Sequence, residues 1–352
     1  MNRRLTRLAA LLLTTLTAAQ AAETDSAQKL AAIRIAKFKG DRTAAVSMTL
    51  DDGLRNQDDF AVPLLNQYGI RATFYVIPGL TPETNEEATK KKPGDHGGIS
   101  WPRLKELAAQ GHEIANHTWT HIPLTKIQDG QRVDLEAAKM DEQIAKAYDA
   151  IKERIGVAPF TFATPGNGTS DVVRAAGHKY HPVIREHCER FGAWPPTSKD
   201  FTAAQANAMV DRYLKKGEAL VWMMHGITEG YNALSGPDIL EDHLMHLRSK
   251  EDVLWIDTFA HVSRYAKERD AATLTASASA GRAEFKLECS LDPTVFHDPL
   301  TVVIPANQPT DVLVRYQKSG EKPPFEIHSD KILVQVIPSG QPLEVTWQSV
   351  PK

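Results

Sequence analysis

The sequence predicts an α/β fold, a barrel-like parallel sheet wrapped by helices, followed by a small all-β, sandwich-like domain. Three observations carry this. From about Thr43 to Glu268, short apolar runs alternate with longer amphipathic ones, the pattern of parallel strands joined by crossover helices. Six or more such units fit within the roughly 230 residues a barrel-type α/β domain needs. After Asp270 helical periodicity gives way to alternating, β-branched, turn-punctuated segments.

The elements follow in order. "AAVSMTL" reads as a buried strand, "FAVPLLNQYG" as a helix stopped by glycine, and "RATFYVIPG" as the next strand. "WPRLKELAAQG" is a helix with Pro102 near its start and Gly111 past its end. "HEIANHT" is a strand, and "DLEAAKMDEQIAKAYDAIKERIG" a long charged amphipathic helix. "APFTFATPG", "EALVWMMHG" and "DVLWIDT" are further strands, with "DILEDHLMHLRSK" and "FAHVSRYAKER" as helices. In the tail, "ATLTASASAGRAEFKLECSL", "LTVVIPANQPTDVLVRYQ" and "KILVQVIPSGQPLEVTWQ" are strand-forming. The polar stretch 81–100, "TPETNEEATKKKPGDHGGIS", is read either as a surface loop or as the rim of a binding groove.

The first residues have their own pattern. Arg3, Arg4 and Arg7 precede an apolar run, and small residues surround Ala19 and Ala21, as in a secretory signal peptide cleaved after Ala21. The expected division is therefore 1–21 signal peptide, 22–270 catalytic domain and 271–352 β-rich domain, with the product periplasmic or secreted. Loss of those three arginines leaves 38 basic residues against 44 acidic ones, a net charge of −6. No basic stripe suits nucleic acid, and no second segment is apolar enough to span a membrane. Cys188 and Cys289 are about a hundred residues apart and form no metal motif; in an exported protein they are read as a disulfide or as two separate thiols.

In parallel α/β barrels chemistry sits at the carboxyl ends of the strands. The first predicted strand ends in Asp51 and Asp52, a later one runs into His117 and His121, and another ends in His225. "FATPGNG", then Trp255 and Asp257, stand at other strand ends. Aspartate and two histidines are ordinary ligands of a divalent metal such as zinc and leave a position open. One aspartate can bind metal while its neighbour acts as base, and the metal charge offsets their repulsion. Taken singly, each piece has a plainer reading: "DDG" as a turn, His117 and His121 as a solvated or core pair, His225 as a packed histidine. The joint pattern at strand ends is what points to a site. His112, His178, His181, His187, His243 and His246 are read as having no catalytic role.

The order and wording of these pieces resemble the polysaccharide deacetylases, the NodB-homology group of carbohydrate esterase family 4. "MTLDDG" resembles that family's T-F-D-D-G motif, "HTWTH" its H-[ST]-x-x-H motif, and "LVWMMHG" its late strand ending in histidine. The resemblance covers roughly residues 40–270. It implies a distorted (β/α) barrel, a bound zinc-like ion (zinc, or else cobalt or nickel) and hydrolysis of acetyl groups from a carbohydrate substrate. Position by position, Asp51 is similar to the catalytic base, Asp52, His117 and His121 to the metal ligands, and His225 to the general acid. A backbone N–H near Gly166 or Asn167 would help hold the oxyanion.

The chain also departs from the family pattern. Where an arginine in R-P-P-Y would contact the base, this chain has Ala163 in "FATPGNG". Arg185 in "HPVIREH" is the candidate replacement from the next strand; an ordinary ion pair is its alternative reading. Trp194 is the candidate for the family's aspartate–tryptophan motif, and Trp119, between the two motif histidines, a candidate wall of the sugar groove. Two rival functions are a carbohydrate-binding protein on a deacetylase scaffold and a hydrolase of cyclic amides. Retention of Asp51 and His225 argues against the first, and the Asp52, His117 and His121 set against the second. The tail shows no exposed aromatic row, so structural packing is its expected role.

Overall fold

The computed structural model describes residues 33–193 and 201–349. The expected signal peptide and Trp194 lie outside these residues. The chain divides into two units. One runs from Arg42 to Ser263; the other joins the segment up to Asp41 with Arg264 onward.

The first unit is an all-parallel sheet. Its strands are β1 (Ala44–Asp51), β2 (Thr73–Val76), β3 (Glu113–Asn116), β4 (Thr161–Phe162), β5 (Val183–Ile184), β6 (Glu189–Phe191), β7 (Ala219–Met224) and β8 (Leu254–Ile256). Spatial order is β5-β4-β3-β2-β1-β7-β6. On its other edge β1 has two neighbours in series, β8 beside Ala44–Val46 and β2 beside Thr49–Asp51. The two ends of this path, β5 and β6, are joined by only residues 185–188. Four residues reach at most about 14 Å, so the sheet must curl until its edges approach, which makes a distorted barrel rather than a flat sheet.

The apolar runs explain this architecture. All eight residues of β1 are buried, as a strand covered on both faces requires. Helices α1 (Val62–Gln67), α2 (Trp101–Ala109), α3 (Ala137–Ile155), α4 (Asp171–His178), α5 (Ala203–Lys216) and α6 (Pro237–Arg248) form the cover, and α7 (Phe259–Ala271) straddles the division between units. Met48, Leu50, Phe74, Leu104, Leu107, Trp222 and Leu244 belong to one continuous core. Helix starts carry their signals: Ser100 accepts from the Arg103 N–H, and Thr202 with Gln205 forms a capping box on α5. Helices α4 and α5, and an antiparallel hairpin Thr125–Gln128 with Gln131–Asp134, were not among the expected elements. The Thr202–Gln205 box was the available signal for α5.

The second unit holds two four-stranded antiparallel sheets. Each tail segment forms a pair of strands: β9 (Ala272–Ser279) and β10 (Arg282–Cys289), β11 (Leu300–Pro305) and β12 (Pro309–Tyr316), β14 (Lys331–Val336) and β15 (Leu343–Ser349), with β13 (Phe325–Ile327) between the last two pairs. A short strand, Arg34–Ile35, pairs with β11, and Asp41 bonds both Arg34 (2.9 Å) and Lys331 (2.7 Å). These contacts place the segment before the barrel in the β-rich unit. Cys188 and Cys289 are both free thiols. Among the described residues, no helix is long and apolar enough to cross a membrane.

Three histidines without a catalytic assignment are core residues. His112 lies edge-on to Phe74 and His181 stacks on Phe162; burial pushes each down to about 4. His243, against Phe191 and Trp222, is pushed down to about 3, with Nδ1 2.7 Å from Asn207 Oδ1. Unfolding frees each ring to protonate near 6.5, whereas the folded ring stays neutral. Their contribution is therefore complete above 6.5 and lost as pH falls toward the folded values. Denaturant unfolding of wild type and His243→Gln between pH 6.5 and 4.5 should show the variant less pH-sensitive, by about 1.4 kcal/mol per pH unit. Parallel profiles would contradict a neutral buried His243.

Candidate active site

The carboxyl ends of four strands build one cavity of about 250 Å³. Asp51 ends β1 and Asp52 follows it; His117 follows β3; Gly166 and Asn167 follow β4; His225 follows β7. His121 also lines the cavity, so all five residues expected to do the chemistry meet here. Asp51, Asp52, His117 and His225 are buried, and His121 is partly open. Asp52, Thr118, His121 and Asn167 have positive φ, which for non-glycine residues stores strain, here concentrated at the strand ends.

Asp52 is the hub. Its Oδ1 lies 3.0 Å from His121 Nε2 and 3.5 Å from His117 Nε2. One donor atom from each of Asp52, His117 and His121 falls within 4.8 Å of the others, which suits a metal ion. His117 is held for this role: its Nδ1 lies 2.7 Å from the Ala163 carbonyl. A carbonyl only accepts, so Nδ1 carries the proton and Nε2 of the neutral ring presents a lone pair. That lone pair faces the buried Asp52 Oδ1. Two electron-rich atoms facing each other call for a positive charge between them. A proton answers the same demand. Burial disfavours the His117 imidazolium, yet Asp52 and Asp51 more than offset this and hold it above the ordinary imidazole range. Burial likewise pushes Asp52 up, but hydrogen bonds with His117 and His121 hold it well below the usual carboxylate range. The donor set fits a divalent cation.

Asp51 has a different partner. Arg185, just after β5, meets it fork to fork, with guanidinium nitrogens 2.6 Å from Oδ1 and 2.5 Å from Oδ2. The arginine also donates to Thr49 Oγ1 at 2.7 Å and to Asn167 Oδ1 at 3.2 Å, and lies over the Tyr75 ring. It is fully buried. Burial raises the Asp51 carboxyl, but Arg185 outweighs this and holds it below its usual value. Arg185 forms a buried ion pair, and its partner is Asp51. The arginine comes from the strand beside the one carrying Ala163, whose small side chain is buried near Tyr75.

Other expected residues sit differently. The Asn167 N–H is taken by the Thr164 carbonyl at 3.0 Å, so of the two backbone donors Gly166 remains the candidate. Trp119 does not line the cavity; it packs beside Gly79 with Lys146 over its ring at 4.4 Å. Trp255 bonds Asp257 at 3.2 Å, beside the first half of β1 and away from Asp51. His225 Nε2 lies 3.9 Å from Asp52 Oδ2, and burial pushes its imidazole down against the pull of Asp51 and Asp52. Met223, Arg190 and Tyr231 complete the wall, with the Tyr231 ring edge-on to His225 at 5.0 Å. The sequence reading missed His96, from the 81–100 stretch. Its Nε2 is 3.4 Å from Asp52 Oδ2 and its ring touches His121. The signal was a histidine flanked by Gly94, Gly97 and Gly98 in a stretch read only as polar.

A family model described as polysaccharide deacetylase matches residues 39–181. A gellan lyase from Bacillus sp is 26% identical over 341 residues, covering 86% of this chain and 13% of its own. A chitooligosaccharide deacetylase from Bradyrhizobium sp. (strain ANU 289) is 28% identical over 114 residues, covering 31% of this chain and 40% of its own. This chain thus spans less than half the length of either relative. Among solved structures, a family 4 acetyl xylan esterase from Clostridium thermocellum, in complex with a cobalt ion, has a TM-score of 0.45 at 19% identity, covering 62% of this chain and 89% of that one. A family 4 carbohydrate esterase from Streptomyces lividans, in complex with acetate, has a TM-score of 0.39 at 20% identity, covering 61% and 92%. The matched residues 39–181 hold Asp51, Asp52, His117 and His121 and leave Arg185 and His225 outside.

Proposed function

We propose that this protein is an exported, metal-dependent hydrolase that removes N- or O-linked acetyl groups from a carbohydrate. The observation that carries the reading is the meeting of Asp51, Asp52, His117, His121 and His225 in one cavity, with Arg185 fixed on Asp51. The match of residues 39–181 to the polysaccharide deacetylase model supports the reaction class. Export rests on the pattern of residues 1–21.

Asp52, His117 and His121 would hold the cation, with zinc preferred for this N/O set and cobalt or nickel as alternatives. When bound, it would supply Lewis-acid chemistry, polarising the acyl oxygen and acidifying water. The protein's own groups do the rest. Asp51 accepts the proton of the attacking water. Arg185 keeps that carboxylate ionised and aims it, because both oxygens are gripped in one plane. Gly166, in the cavity wall, donates its N–H to the developing oxyanion. His225 protonates the departing amine or alcohol oxygen. Met223 and the Tyr231 ring offer an apolar surface beside these groups.

Acetate release from acetylxylan, chitooligosaccharides and peptidoglycan tests the reading. The zinc-loaded protein should act on at least one. A chelator, or Asp51→Asn, should each lower the rate by about 100-fold or more. Zinc-loaded protein inert on the whole panel would overturn the assignment.

The ion pair makes a separate prediction for stability. Arg185→Met leaves a buried carboxylate unpaired and should cost about 3–5 kcal/mol in denaturant unfolding. Adding Asp51→Asn to that variant should recover much of the loss. A double variant no more stable than Arg185→Met would mean the pair itself is not what the arginine serves.

A further inference from the structure

We propose that His96 is a positioning residue for the metal ligand Asp52, delivered by the 81–100 loop, which holds the Oδ2 side of the carboxylate so that Oδ1 stays turned to His117 and His121. The inference rests on the metal reading of the Asp52, His117 and His121 triad given above.

The two oxygens of Asp52 have different surroundings. Oδ1 faces His121 Nε2 at 3.0 Å and His117 Nε2 at 3.5 Å. Oδ2 faces His96 Nε2 at 3.4 Å and His225 Nε2 at 3.9 Å. His96 is thus the closer of two imidazoles on the side away from the triad. A carboxylate ligand left free on one side can rotate, taking both oxygens toward the cation or neither. A donor on Oδ2 removes that freedom, as partners of metal ligands generally do. His96 does not join the donor cluster of the triad, so the geometry makes it a support for a ligand.

The loop is built to place this ring. Its backbone is bonded to the turn that carries Asp52: Gly97 N–H donates to Asp52 O at 2.8 Å and Gly98 N–H to Gly53 O at 2.7 Å. Lys91 Nζ donates to the His96 carbonyl at 2.9 Å and to the Leu80 carbonyl at 2.8 Å, closing the loop on itself. Gly97 has φ of +63°, and a Cβ there would meet the Leu80 carbonyl. A Cβ on Gly98 would run into the Arg55 backbone. Neither position accepts a side chain without moving the loop. The ring they fix rests edge-on against His121, at 4.6 Å between centroids.

The test uses metal-free full-length protein titrated with zinc ion in a calorimeter, and with cobalt(II) while its visible absorption is recorded. His96→Ala should weaken zinc binding by about 10- to 100-fold. His96→Gln, which keeps a donor, should recover most of it. At saturating cobalt, His96→Gln should give the wild-type band positions and intensities, because both the ligands and the donor on Oδ2 are kept. Thermal unfolding of the metal-free proteins should agree, showing that the variants fold. Equal zinc affinity in wild type and His96→Ala would overturn the role of His96. An altered cobalt spectrum in His96→Gln would also overturn it, because His96 would then be a ligand. A wild type that binds no zinc would instead overturn the metal reading beneath it, an outcome distinct from the other two.

Discussion

Two carboxylates lie side by side at the dry end of a parallel sheet, and the rest of the site is an answer to that constraint. Asp51 and Asp52 are both buried, so neither can rely on water to spread its charge. Asp51 is answered by a guanidinium, always charged and shaped to match it. Asp52 is answered by imidazoles, which carry a proton or step aside for a cation. The difference in partner separates the two acids chemically although they are neighbours in sequence. One is held toward its ionised form and fixed in direction by Arg185; the other sits among imidazoles that can themselves carry a proton.

Much of this was legible in the residues. β1 could be read because its apolar run is continuous and the acids stand at its end, so burial and chemistry share one stretch. His117, His121 and His225 could be read for the same reason. Arg185 was harder, because its partner lies 134 residues earlier and the two strands they follow are not neighbours in the sheet. His96 was illegible as a site residue. It lies on no periodic element, and only the docking of Gly97 and Gly98 on the Asp52 turn gives it a place. Trp119 shows the opposite limit: adjacency to two cavity histidines did not turn the side chain toward the cavity, because the backbone at Thr118 has positive φ and the ring packs beside Gly79. Asn167 shows a third, since a backbone N–H near the right place was already committed to a local turn.

The barrel unit tolerates this strained end because its remainder is overdetermined. β1 is hydrogen-bonded to β2, β7 and β8, so its direction and register are set by three partners. Helix caps and a large apolar core fix the elements around it. Strain at Asp52, Thr118, His121 and Asn167 is therefore confined to the loops beyond the strands. The β-rich unit has its own anchors, with Asp41 gripping Arg34 and Lys331.

The long reach of the Asp51–Arg185 pair has a consequence for how the chain acquires its structure. A chain made from its N-terminus produces β1 and its two acids early, and the arginine that neutralises one of them 134 residues later. Until β5 is in place, burying the end of β1 means burying an uncompensated charge. The first strand of the sheet is thus among the last to be settled at its carboxyl end. A fragment stopping before residue 185 would hold Asp51, Asp52, His117 and His121 and still lack the counter-charge that lets Asp51 be buried.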